Sequence, residues 1–353
     1  MKTSNSFMKA LSLGLAMCLV VGLYNCKPKE TEPEVPDFGK DFENVKPLPA
    51  ITQSTPAAVT TTPAKVEVSA AATAAATGLA SGTVTAAVTS TAADMAKAVS
   101  PEKATSIAAA FTPAVLTTLS SGGALPASLQ ADINALKSNA ALAAYLPKVT
   151  APTVNGAPVS LLIEKGITNS DIESLPLSYP SFAVAGTSSE CTDAATAAFN
   201  AAKKILNDSK AAQDKIVNDT YNAGVALISS TSCKASATAS LTAGLAAAQT
   251  ALNAGIAGID KMVADKAITE AIGSLLKAFA YANYAITVEA IKISSDASVK
   301  ACDAEAAAKI AALKAVQTKD LATIQAAYNA AIAPVNTLGE AAQKKCHDQG
   351  QGN

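Results

Sequence analysis

The sequence predicts an all-α fold: an elongated, Ala-rich up-down helical bundle stapled by disulfides and preceded by a disordered tether. Three observations carry this expectation. Half of the 353 residues are hydrophobic but much of that half is Ala, aromatic residues make up only 4% and Trp is absent. Ala has the best helix propensity and buries little surface, so long helices packed closely through small side chains follow. Apolar residues recur at spacings of three and four from Cys191 onward, the stripe of helices packed side by side. Four cysteines, Cys191, Cys233, Cys302 and Cys346, lie in that region, and the closest pair in sequence is 42 residues apart.

The chain opens with MKTSNSFMK, whose Lys2 and Lys9 precede the apolar run Ala10 to Leu23. A run of 14 residues, interrupted only by Ser12, suits the core of a secretory leader and is short for a membrane span. A buried helix would not run straight into the charged, Pro-rich KPKETEPEVPDFGK that follows Cys26. Residues 1–25 are therefore expected to be a cleaved signal peptide. The stretch Leu23-Tyr24-Asn25-Cys26 resembles the lipobox of bacterial lipoproteins, in the relaxed form of spirochaetal (leptospiral-like) lipoproteins, where Asn before the Cys is tolerated. That resemblance is limited to the N-terminal signal. It implies lipidation of Cys26, labelling by palmitate, a membrane partner through the anchor, and a cell-envelope address, with the outer membrane favoured by Lys27 after the Cys. Cysteine parity agrees: six Cys less Cys18 in the leader and a lipidated Cys26 leave four, an even set in an exported chain.

Residues 26–66 read as the lipidated Cys and a Pro/Thr-rich tether, punctuated by Pro28, Pro33, Pro36, Pro47, Pro49, Pro56 and Pro63. Such a segment buries too little apolar surface to offset its ordering entropy, and Phe38 and Phe42 read as incidental. Residues 67–148 read as an Ala/Thr-rich helical region. A helix interrupted near Gly78 and Gly82 comes first; Ser100-Pro101-Glu102 then caps a second, expected to run to about Leu119. A third is expected from about Pro126 to Tyr145. Residues 149–190 read as a connector broken by Pro152, Pro158, Pro176 and Pro180, with short helices possible near 159–165 and 170–174.

Residues 191–347 are expected to form the disulfide-linked bundle. One helix should run from Cys191 to about Leu227, and Ser229 to Ser232 form a turn before Cys233. Leu241, Leu245, Leu252, Ile259 and Met262 fill one heptad frame; Ile268, Ile272, Leu275, Phe279, Ala282 and Ile286 fill another, one residue out of phase. A break between 253 and 267 is implied, with a further turn at Ser294-Ser295-Asp296. A helix of about 37 residues spans roughly 55 Å, whereas disulfide Cα atoms lie about 4.4–6.8 Å apart. Cysteines at opposite ends of one helix are thus not joined. Four up-down helices of comparable length give the nested pairing Cys191–Cys346 and Cys233–Cys302. An unbroken 233–300 helix gives 191–302 with 233–346, and two hairpins give 191–233 with 302–346.

The chemistry is sparse. All 27 basic residues are Lys, against 28 acids; without the leader's two Lys the net charge is −3. No basic domain attracts nucleic acid, and without Arg there is no bidentate grip on phosphate. There is no C-x-x-C, and the single His is His347, so no metal site is expected. No nucleophile-elbow, phosphate-loop or dinucleotide motif occurs, and no catalytic residue and no cofactor are assigned. Glu270 and Glu289, with Lys277 and Lys292 nearby, read as ordinary helix charges; Phe279, Tyr281 and Tyr284 form the only aromatic cluster. The expectation is a lipid-anchored envelope protein of structural or interaction type, not an enzyme, with an unspecified protein partner. The alternative is a pore-forming-like protein that inserts the apolar 271–293 helix, against which Lys277 and Glu289 weigh.

Overall fold

The structure is a computed structural model and describes residues 35–159 and 189–349. The leader, Cys26, residues 27–34 and the expected helices near 159–165 and 170–174 fall largely or wholly outside the described residues. The fold is all-α with five very short strands. It comprises helices α1 (Ala70–Ser81), α2 (Ala86–Ala98), α3 (Pro101–Ala110), α4 (Pro113–Ser120), α5 (Ala127–Lys137), α6 (Ser189–Ala226), α7 (Thr231–Ala264) and α8 (Glu270–Gln349). The strands are β1 (Thr61–Thr62), β2 (Lys65–Glu67), β3 (Lys148–Thr150), β4 (Thr153–Val154) and β5 (Ala157–Pro158). The chain divides into two compact units.

The first unit takes its described residues from 35–52, 189–217 and 320–349. Here α6 runs antiparallel to the C-terminal part of α8: Cys191 is bridged to Cys346, Gly339 closely approaches Phe199, and the Tyr328 hydroxyl donates to Asn207 Oδ1 at 2.7 Å. Residues 35–52 keep the mostly irregular backbone their prolines dictate, yet they are pinned. Phe42 and Leu48 join Leu206, Val217, Ile324 and Tyr328 in one core, and Phe38 packs with both bridged cysteines. The Phe42 ring meets Phe199 edge-on at 6.4 Å. Polar groups of α6 serve this backbone: Leu48 N–H donates to Ser209 Oγ, and Gln213 Nε2 donates to the carbonyls of Leu48 and Pro49. The reading of Phe38 and Phe42 as incidental is therefore corrected: two large rings within five residues bury enough surface to fix a short Pro-rich segment.

The second unit takes its described residues from 53–159 and 218–319. Its helix starts are written locally. Ser69, Thr85, Ser100 and Thr112 each accept a backbone N–H of the first turn of α1, α2, α3 and α4, satisfying donors that a helix leaves orphaned. Gly82, at φ 62°, ends α1 in the left-handed conformation. The helix expected from Ser100 to Leu119 divides at Phe111, because Pro113 biases Thr112 out of helical geometry and opens α4. The next helix also ends early, at Lys137, and a 3-10 segment covers Ala140–Tyr145.

The connector begins with strands that were not expected. β2 pairs antiparallel with β3, Val66 opposite Val149; β1 pairs with β4, and β4 with β5. Asn155 and Gly156 both have positive φ and close the β4–β5 hairpin in the manner an Asn-Gly pair favours.

In this unit α7 lies antiparallel to the N-terminal part of α8. Cys233 is bridged to Cys302, and Lys234–Asp303 and Lys277–Asp260 are ion pairs of 2.6 Å. The turn between α7 and α8 falls at 265–269, overlapping the end of the expected 253–267 region and running two residues past it, with Lys266 at φ 58°. The expected turn at Ser294-Ser295-Asp296 does not exist. Instead of four helices of comparable length there are three, of 38, 34 and 80 residues, and α8 is the common disulfide partner of α6 and α7. No Gly or Pro occurs from Ser274 to Ala333. Ser298 returns its hydroxyl to the Ser294 carbonyl at 2.8 Å, and interior Ser costs well under 1 kcal/mol. Three small polar residues alone do not stop a helix with a continuous apolar stripe.

The core of this unit joins α1–α5 to α7 and α8, with Met95, Ile107, Ile133, Ile259, Met262 and Leu276 fully buried. Phe111 stacks on Tyr281 at 4.9 Å and Tyr145 meets Phe279 edge-on at 5.1 Å. The Ala/Thr-rich region thus supplies the partners of the aromatic cluster.

Candidate functional site

A concavity lies within the second unit, along the face where α7 and α8 run side by side. On α7 its wall is Gly244, Ala247, Ala248, Ala251 and Gly255; on α8 it is Phe279, Asn283, Tyr284, Thr287 and Ile291; Ala72 and Ala76 of α1 and Val66 and Val68 of the β2 segment close it. Small side chains on α7 set the walls back, and β2, held by β3, spans the gap. The cavity has a volume of about 470 Å³ and no charged side chain among its lining residues.

A second cavity of about 480 Å³ continues from it, sharing Val66, Gly244 and Ile291. Its lining changes character: Ser236, Ser240, Ser294, Ser295 and Ser298 supply hydroxyls beside the Cys233–Cys302 bridge, and Glu305 is its only charged residue. Glu305 is paired with Lys309 at 2.6 Å. Together the two form one groove with an apolar half and a hydroxyl-rich half.

The polar groups of the apolar half are unusual. Tyr284 is 3% exposed, and its hydroxyl is buried without a hydrogen-bond partner. Burial holds its pKa above the ordinary tyrosine value. Among the described residues the Asn283 amide and the Thr287 hydroxyl likewise have no hydrogen-bond partner. By contrast Tyr145, whose pKa burial also raises, donates to Asp94 Oδ2 at 3.1 Å. Asp94 in turn is held below the usual carboxylate range, chiefly by the Lys97 hydrogen bond.

The residues singled out in the sequence are dispersed. Glu270 lies exposed at the start of α8, Glu289 pairs with Lys137 at 3.0 Å, and Lys277 pairs with Asp260. Lys292 borders a separate surface cavity near Gly123 and Gln130. His347 is exposed near the end of α8. Only Glu289 and Lys292 share a surface, as lining of that cavity, and among the described residues no cluster of three His, Cys, Asp or Glu side chains is placed to hold a metal. Among the same residues no single helix is long and apolar enough to cross a membrane; α1 and α2 pass that test only as a pair bent by 110°. Cys26 lies outside the described residues. Sequence reasoning missed the groove; its one legible signal was the run of Gly and Ala on one side of α7. No protein-family model, curated protein or solved structure matches the chain.

Proposed function

We propose that this chain is a lipid-anchored cell-envelope protein of structural or interaction type, exported by residues 1–25 and acylated on Cys26, and that it acts through a binding surface rather than by catalysis. The observation that supports this most is the pair of disulfides, Cys191–Cys346 and Cys233–Cys302. Disulfides of this kind persist in oxidising compartments and are rare where thiols are kept reduced. Their pairing leaves Cys26 as the one cysteine after the leader that has no partner in either bridge. An anchor at Cys26 and an outer-membrane address are consistent with the Lys-flanked leader and the Asn25-Cys26 junction.

The test is metabolic labelling with palmitate in a lipoprotein-processing bacterium. The wild type takes up label and Cys26→Ala does not; equal labelling of the two refutes the anchor. Proteolysis of intact cells then reports which face of the envelope carries the folded part. Insertion of 271–293 into a bilayer is the less favoured reading. Release of this segment would expose Leu276, Phe279, Tyr284 and Val288, all buried, and strand Lys277 and Glu289 away from Asp260 and Lys137.

A further inference from the structure

The groove between α7 and α8 has three features that together select a ligand. Its first half is apolar and uncharged along its whole lining, as small-molecule sites commonly are, with a few polar groups fixing orientation. Those groups are present and unused: the buried Tyr284 hydroxyl has no partner, and Asn283 and Thr287 stand on the same wall, one turn apart on α8. A buried hydroxyl without a partner costs about 1–3 kcal/mol, which a bound acceptor would recover. The second half presents five serines, and the Ser294 and Ser295 hydroxyls make no hydrogen bond among the described residues.

Charge decides the class of head group. Neither half has a Lys in its lining, and the single ion, Glu305, is negative. A carboxylate or phosphate placed over the serines would find no cation among the lining residues, where Glu305 is already paired with Lys309, and an unpaired charge taken out of water is costly. We infer that the α7–α8 groove binds an uncharged single-chain amphiphile, with the hydrocarbon chain among Ala248, Ala251, Leu252 and Phe279. The ester or amide linkage lies within reach of Asn283 and Tyr284, and a hydroxyl-bearing head lies along the serines beside the Cys233–Cys302 bridge. The inference goes beyond the envelope assignment and does not depend on acylation of Cys26, because the groove is built wholly from residues of the second unit.

The experiment is calorimetric titration of the purified chain, disulfides intact, with 1-monolauroylglycerol below its micelle concentration, and with laurate as the anionic probe of equal chain length. Saturable binding at one site is expected for the glycerol ester, and laurate should bind at least about tenfold more weakly because its charge is unpaired. Ala251→Phe, at an exposed position of α7 that lines the groove, fills the chain site and should weaken binding by about tenfold or more. Tyr284→Phe and Asn283→Leu, which conserve packing volume, should each weaken it by a few-fold while leaving the melting temperature unchanged or raised, since each removes an unsatisfied polar group. Three outcomes overturn the inference: no saturable binding of the glycerol ester, equal affinity for laurate, or full affinity in a folded Ala251→Phe protein. Loss of palmitate labelling in Cys26→Ala leaves all of these readings intact.

Discussion

Gly255 and Gly258 sit one turn apart on α7, and replacing each by Ala should move stability in opposite directions. By helix propensity alone both substitutions stabilise by up to about 1 kcal/mol. At Gly255 the new Cβ would rest 3.9 Å from Leu79 Cβ, an ordinary contact. At Gly258 it would lie 1.8 Å from the Leu79 carbonyl oxygen, 2.9 Å from the Leu79 carbonyl carbon and 3.1 Å from Gly82 N. These are backbone atoms of α1 and its left-handed cap, so no side-chain rotation relieves the overlap. A carbon–oxygen contact settles near 3.3 Å, so α1 must retreat by roughly 1.5 Å. A gap of that size forfeits most of the dispersion contact along the seam, where Ala72, Ala75 and Leu79 are buried. Burial of Leu79 alone is worth about 1.5–3 kcal/mol. After the propensity gain, Gly258→Ala should cost about 1–3 kcal/mol net. For a unit of this size that lowers the melting temperature by roughly 2–12 °C, while Gly255→Ala raises it by up to about 2–4 °C. Thermal melts followed by helix ellipticity separate the two. A Gly258→Ala protein that melts at or above the wild type would show that α1 does not rest on α7 through this glycine.

Reduction should destabilise both units: the bridges close sequence separations of 155 and 69 residues, worth about 5 and about 4 kcal/mol on the chain-entropy account. Melts of Cys191→Ser/Cys346→Ser and Cys233→Ser/Cys302→Ser, with peptide maps under non-reducing conditions, check the values and the pairing. Phe42→Ala should cost about 3 kcal/mol in the first unit and free residues 35–52 for proteolysis; unchanged resistance there would mean the ring does not hold the segment. Acid should destabilise the second unit. Asp94, Asp303 and Glu102 are held below their ordinary values, chiefly by hydrogen bonds with Lys97, Lys234 and Ser100 respectively. Their stabilisation is present above the unfolded carboxylate range, near pH 4, and is lost as pH falls through the lowered folded values. Melting temperature should therefore drop as pH falls below about 4, and the drop should shrink in a Lys97→Met/Lys234→Met protein.

Much of the helical framework is legible in the residues because its causes are local. Ser69 and Ser100 announce helix starts through their own hydroxyls, Gly82 announces a stop through its left-handed backbone, and the stripe through Leu245, Ile259 and Phe279 repeats with the helix itself. The geometry of rods and cysteines also tied each of the three pairings open to four cysteines to a different helix arrangement, the nested one to up-down helices. What the residues left open depends on partners far away in the chain. Ser294-Ser295-Asp296 looked like a turn because each residue competes for backbone hydrogen bonds, yet the apolar stripe on both sides keeps the helix continuous. Phe38 and Phe42 looked incidental until Leu206, Ile324 and Cys346 came to surround them. The groove has no local signature beyond the run of Gly and Ala on α7. Val66, Ala72, Ala248 and Asn283 come from four segments of the chain, and only their packing leaves a space with an apolar half, a hydroxyl-lined half and a tyrosine hydroxyl without a partner. Helix formation is settled within one or two turns of chain, whereas cavities and docked rings belong to contacts that exist only once the chain has folded.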